Sequence, residues 1–249
     1  LHDFSFKSPD ELLAGLKSGT MGRMSHSMMQ GMRGNGMQMQ GMDHSKMRST
    51  GSDMMGMDLN DIEYDAYLAN DRTLNDPEVV QVEKGGIVRL HIINGATATG
   101  FSIDAGQLSG TVVAVDGQDV VPIPMRLFPL AMGQRVDILL NIPAEGGAFP
   151  VFALREGALE RTGIIMATAG AAIGKIAPIG KTKGPILNLE MEGLLRAGSS
   201  LVERASDRLF NVMLSGNMGD YAWTMSSDTE LIMKEGERIV IQMMNHSMM

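Results

Sequence analysis

Between Thr20 and Asp58 the chain carries twelve methionines and not one Leu, Ile, Val, Phe or Ala. The densest part, His26 to Met47, reads HSMMQGMRGNGMQMQGMDHSKM. A thioether sulfur is a soft, neutral donor, which suits Cu(I) far better than Zn, Mg or Ca. Unlike a thiolate it needs no deprotonation, and no disulfide can remove it. Met-x-x-Met, Met-x-Met and Met-Met spacings recur at Met21/Met24, Met28/Met29/Met32, Met37/Met39/Met42 and Met54/Met55/Met57. Seven glycines in the same stretch let two or three sulfurs converge on one ion. His26 and His44 add imidazoles, which also suit copper. Met28, Met29, Met32, Met37, Met39, Met42, His26 and His44 are therefore the candidate Cu(I) ligands. A competing reading packs the methionines on a folded domain, because Met commonly fills core gaps. That reading leaves the missing Leu, Ile, Val, Phe and Ala unexplained. A minor third reading is an oxidant sink through sulfoxide formation.

The totals limit what surrounds this segment. A length of 249 residues allows one large domain or two of ordinary size. Hydrophobic residues at 44% and charged residues at 20% are near globular averages, so a real core is possible. A net charge of −8 argues against nucleic acid and anionic membrane as partners. Four basic and three acidic residues between Thr20 and Asp58 show that the acidity belongs to the flanking parts. The absence of cysteine excludes disulfides, zinc fingers and thiolate chemistry within these residues. No apolar run approaches the roughly 18 residues of a membrane span. LHDFSF resembles the tail of a strand already under way, and IQMMNHSMM stops just after an alternating apolar run. The expectation is an internal piece of a longer protein.

The elements around the segment are mostly β. Ser8-Pro9-Asp10-Glu11 predicts a helix start, with a capping Ser, Pro at the first helical position and Glu in a capping box. Leu12, Leu13 and Leu16 then share a face of a short helix that ends near Gly19. The Met-rich stretch has no usable periodicity and is low-complexity. From Leu59 on, Val79–Val82, Ile87–Ile93, Thr111–Val115, Arg135–Ile142, Pro150–Leu154 and Gly163–Ala167 are short apolar runs between Gly, Pro, Asn and Asp. Six such runs without intervening helices predict a sandwich or Greek-key barrel. Gly170 to Gly184 has linker composition. Pro185–Glu192 is expected to be extended and Leu194–Leu195 a helical turn.

The chain also repeats itself. VEKGGIVRLHIIN (Val82 to Asn94) matches MKEGERIVIQMMN (Met233 to Asn245) at an offset of 151 residues. In each, a glycine stands nine residues before an asparagine and a period-2 apolar strand fills the gap. With EVVQV and ELIM upstream, each copy is expected to be a hairpin. Two tandem sandwiches account for this offset, which is too long for a solenoid.

These copies carry a family resemblance. DAYLANDRTLNDPEVVQVEKGGIVRLHIINGATATGFSID (Asp65–Asp104) resembles the opening of the second cupredoxin domain of three-domain multicopper oxidases. VVAVDGQDV (Val112–Val120) and PLAMGQRVDILLNIP (Pro129–Pro143) are similar to that domain's later strands. TELIMKEGERIVIQMMNHSMM (Thr229–Met249) resembles the segment that precedes the third domain's H-P-x-H-x-H cluster. The Met-rich insert points to the bacterial copper-resistance and laccase-like branch.

The resemblance implies an all-β fold of tandem cupredoxin-like Greek-key β-sandwiches, one complete and one truncated, with the Met-rich insert between them. Residues 1–19 would end the first domain and 20–58 would form the insert. Residues 59–170 would be a copper-free second domain, 171–207 a linker, and 208–249 the start of the third domain. It implies a periplasmic oxidase that takes electrons from Cu(I) or phenolic donors and reduces dioxygen to water, with a role in copper tolerance. The partners would be copper ions, dioxygen and a small electron donor, with no nucleic acid and no membrane span.

The family's cofactors are a type 1 copper, held by Cys and His, and a trinuclear copper cluster held by eight His. Five His and no Cys cannot supply these sets. The ligand blocks are expected outside this window, so none of its residues is expected to be catalytic. A second methionine group comprises Met213, Met218, Met225, Met243, Met244, Met248 and Met249. Within it, Met213, Met218 and Asp220 would hold a substrate copper, as in related cuprous oxidases. Met243 and Met244 occupy the places of Ile92 and Ile93 in the repeat, so at least one is expected in a core. His91 is expected to face outward from a strand, and His2 and His246 have no supporting pattern. Asp116-Gly117 predicts a turn, and Trp223 with Tyr221 predicts packing rather than an electron relay. The alternative function is a non-enzymatic periplasmic copper-binding protein on a cupredoxin scaffold.

Overall fold

The computed structural model describes residues 1–18, 62–199, 202–217 and 221–247. They divide into two compact units.

The larger unit is a two-sheet β-sandwich. Its first sheet has five strands in the order β3 (Val79–Gln81), β11 (Arg161–Ala167), β10 (Ala148–Arg155), β5 (Phe101–Asp104) and β8 (Leu127–Leu130). Its second sheet has four, in the order β4 (Ile87–Ile93), β9 (Arg135–Asn141), β6 (Gly110–Val115) and β7 (Gln118–Met125). β1 (His2–Phe4) pairs with β2 (Ala66–Leu68) in a separate ribbon. Strand alternation builds the core. In β9, Val136, Ile138 and Leu140 are buried, while Asp137 and Leu139 between them stay partly open. Phe149, Val151 and Ala153 do the same in β10. With Phe101, Ile103, Val112, Phe128 and Leu130 they form one apolar cluster fed by both sheets. Each large side chain so buried contributes roughly 1.5–3 kcal/mol.

Two departures from the sequence expectation have clear causes. β7 carries Pro122 and Pro124, and β8 carries Pro129, which disguise them as strands in the sequence. Each is the last strand of its sheet, the position where a residue without an N–H is tolerated. The first repeat copy is not a hairpin. β3 pairs with β11 in one sheet, while β4 pairs with β9 in the other. The turn between them is closed by the Gly86 N–H donating to the Glu83 carbonyl at 3.2 Å. It is therefore a corner that carries the chain from one layer to the other.

The stretch with linker composition runs along this sandwich and is fastened to it. Arg161 N–H donates to Pro178 O at 2.9 Å, and Gly184 N–H to Ala158 O at 2.8 Å. Further on, Val121 N–H donates to Arg196 O at 2.9 Å. A helical turn, α2, spans Glu190–Leu194, earlier than expected, and buries Met191 completely. The apolar anchor Met191 fixes where this turn forms, and linker composition hides it.

The smaller unit contains a helix, α1 (Pro9–Lys17), and a three-stranded sheet. The sheet order is β13 (Ala222–Ser227), β12 (Arg208–Asn217) and β14 (Ile239–Asn245). β12 is antiparallel to β13 and parallel to β14. Phe210 and Val212 of β12 are buried. β14 again follows a corner. Glu237 N–H donates to Lys234 O at 3.1 Å, the counterpart of the Gly86 to Glu83 bond. Gly85 and Gly236 hold φ values of +68° and +83° at these two corners, which explains why the repeat keeps a glycine there. Leu231–Met233 forms no strand, so this copy is not a hairpin either.

Candidate metal centre

The eight ligand candidates of the Met-rich stretch, Met28, Met29, Met32, Met37, Met39, Met42, His26 and His44, lie outside the described residues. So do Met218 and Asp220 of the second set. Met213 is described: it is a half-buried residue of β12.

The register of β12 places two residues beside Met213, namely Ser226 of β13 and Met244 of β14. Met244 is half-buried, and Met243 next to it is 72% exposed. Neither is in a core, contrary to the expectation drawn from Ile92 and Ile93. Among the described residues, no second layer covers β14 of the three-stranded sheet as the five-stranded sheet covers β4. The pairing of Met213 with Met244 was invisible to sequence reasoning, because nothing local says which strands stand side by side.

Three histidines, His2, His91 and His246, are among the described residues. His91 faces outward from β4, and its Nδ1 lies 2.8 Å from Asp137 Oδ1. Arg89, two residues along the same strand, donates to Asp137 Oδ2 through Nε at 3.0 Å and Nη2 at 2.7 Å. Burial of the Asp137 carboxyl acts to raise its pKa, but the bonds from Arg89 and His91 outweigh it and hold the group below its ordinary value. This is an ion-pair cluster on the outer face of the sheet, with a single carboxylate already engaged. His2 Nε2 lies 3.2 Å from Asp71 Oδ1, and His246 is exposed beyond β14. Among the described residues, no three His, Cys, Asp or Glu side chains converge as a metal site. The chain has no Cys to supply the thiolate, and no group of imidazoles forms among the described residues, so these residues do not fit a type 1 or trinuclear copper centre.

Comparison with known proteins supplies the family. The family model described as multicopper oxidase matches residues 18–171. The multicopper oxidase MmcO of Mycobacterium tuberculosis is 30% identical over 206 residues, covering 80% of this chain and 40% of that protein. Copper resistance protein A of Escherichia coli is 30% identical over 135 residues, covering 54% of this chain and 22% of that protein. The crystal structure of the laccase from Botrytis aclada superposes on 60% of this chain and 29% of its own, at 20% identity and a TM-score of 0.49. The chain thus spans well under half the length of the curated relatives it matches. The match to residues 18–171 covers more than half of the chain, takes in the Met-rich stretch and ends where the sandwich strands end, so this chain belongs to the multicopper oxidase family.

Proposed function

We propose that this chain is the central part of a periplasmic multicopper oxidase that protects against copper. The whole protein would oxidise Cu(I) or phenolic donors one electron at a time and reduce dioxygen to water. Residues 59–170 would act as a copper-free spacer that sets the first and third domains against each other. Residues 1–19 would close the first domain, 171–207 would link onward, and 208–249 would open the third. Type 1 and trinuclear coppers would be held by residues outside this window.

The observation that carries the reading is the Met-rich stretch within the matched residues 18–171. Twelve thioethers without apolar company make a soft-metal tether rather than a core. It would gather Cu(I) and deliver it to the oxidising centre or shield it. Met213, with Met218 and Asp220, would hold a substrate copper near that centre.

The test is oxygen uptake by the longer parent protein loaded with copper. Uptake on adding Cu(I), lost when the copper is stripped, is the expected result. A parent that binds Cu(I) yet consumes no oxygen with Cu(I) or a phenol is instead the non-enzymatic copper-binding protein. The flanking coding sequence separates the two as well. The oxidase requires H-x-H pairs upstream, with H-P-x-H-x-H and H-C-H downstream.

A further inference from the structure

β12 and β14 run parallel, with Met213 set opposite Met244. Residues paired in this way point to one face, and neighbouring strands lie about 4.8 Å apart, so the two thioethers stand side by side. The ladder continues one step past β14, where the His246 N–H donates to the Leu214 carbonyl at 2.8 Å. Strand alternation then puts His246 on the same face as Met244.

That face is otherwise polar around the pair. Met213 has Ser226 as its other cross-strand neighbour, with Asn211 and Ser215 flanking it along β12. Gln242 flanks Met244 on the side away from His246. The buried residues of β12, Phe210 and Val212, occupy the opposite face. Two adjacent, half-buried methionines among amide and hydroxyl groups are poorly explained as core.

We propose that Met213, Met244 and His246 form a Cu(I) site. Two thioethers and an imidazole supply three neutral donors, a set that favours a soft monovalent ion over Zn, Mg or Ca. The strand ladder sets the spacing of the two sulfurs before the metal arrives, and His246 closes the site from its exposed end. This site takes Met213 in place of the set with Met218 and Asp220 proposed above; the two assignments exclude each other, and M218L with D220N tells them apart. The site uses none of the residues between Thr20 and Asp58, so it and the tether can fail independently.

The test uses the 249-residue chain with all twelve methionines between Thr20 and Asp58 changed to Gln, and with His26→Ala and His44→Ala. Cu(I) is titrated against a chromophoric cuprous chelator, and the bound metal is characterised by X-ray absorption. One retained equivalent with two sulfurs and one nitrogen around copper is expected. Loss of an outer-shell partner alone costs about 10–100-fold in metal affinity, so M213L with M244L should weaken this equivalent by more than about tenfold. H246Q, at an exposed position that leaves the sheet intact, should remove the nitrogen from the absorption fit. M218L with D220N should leave the equivalent in place. No retained copper, or retained copper indifferent to M213L, M244L and H246Q, would overturn the proposal. Loss of the equivalent on M218L with D220N would overturn it too.

Discussion

Asn94 and Asn245, one full repeat apart, make the same local bond. The Asn94 side-chain oxygen accepts the Ala96 N–H at 3.1 Å, and that of Asn245 accepts the Ser247 N–H at 2.9 Å. Each ends a strand that began at a corner closed by the same type of backbone bond. The match of the two segments is thus carried by geometry as well as by letters. Their surroundings differ. Asn94 is fully buried and also donates to Thr99 O at 2.9 Å and Leu130 O at 3.1 Å. Asn245 is exposed, and the Ser247 hydroxyl donates to it at 2.6 Å.

The two asparagines should therefore respond differently to truncation. Asn94→Ala leaves an N–H and two carbonyls short of a partner inside the sandwich, at about 1–3 kcal/mol for an unsatisfied buried group. Asn245→Ala loses a solvated cap and should cost less than about 1 kcal/mol. Urea unfolding of the two variants checks the order.

Gly163 lies within β11 at a φ of +151°, and a Cβ built there would stand 2.1 Å from the Val151 carbonyl oxygen. Backbone cannot yield as a side-chain tip does. Gly163→Ala should lower stability by at least about 2 kcal/mol. Gly174→Ala, with nothing within 4 Å of its Cβ, should leave the thermal midpoint nearly unchanged.

Asp137 supplies a pH test. Its folded pKa is depressed, so its contribution is present above the unfolded carboxylate value and is lost as pH falls through the folded one. With Arg89 and His91 largely exposed, the cluster should contribute about 1 kcal/mol or less. Asp137→Asn should reduce the slope of stability against pH below about pH 4 and lower stability slightly at neutral pH. Acid titration followed by circular dichroism reads both effects.

Tyr67 supplies the alkaline counterpart. Burial pushes its hydroxyl up to about 12, while Arg155, stacked 5.1 Å over the ring, pulls the other way. The folded state holds this proton longer than the unfolded one. Stability is therefore undiminished below about pH 10 and falls as pH rises towards 12. Tyrosinate absorbance should show Tyr67 ionising after Tyr64, which is raised by partial burial, and Tyr67→Phe should remove the late step.

Much of this fold could be read from side-chain alternation. β4 has the limits expected for it, Ile87–Ile93, because its period-2 pattern is bounded by glycine and asparagine. Reading failed where a decision depends on a distant partner. Pro122, Pro124 and Pro129 are compatible with strands only because β7 and β8 are edges, and edge position is a property of the whole sheet. A corner and a hairpin share the same turn residues, so the sequence around Gly85 cannot say which sheet receives the next strand. The candidate site divides in the same way. The soft-donor chemistry of the Met-rich stretch is legible from composition. The pairing of Met213 with Met244 depends on the parallel register of β12 and β14, which no local pattern encodes.

The central claim is that this chain handles Cu(I) through thioethers between Thr20 and Asp58. It is tested most directly by changing Met28, Met29, Met32, Met37, Met39 and Met42 together to Leu, which keeps bulk and apolarity but removes sulfur. Cu(I) stoichiometry is then measured by chelator competition against the unaltered chain. A fall in the number of Cu(I) ions bound per chain, with circular dichroism unchanged, is the predicted result. The same stoichiometry in both proteins would contradict the claim.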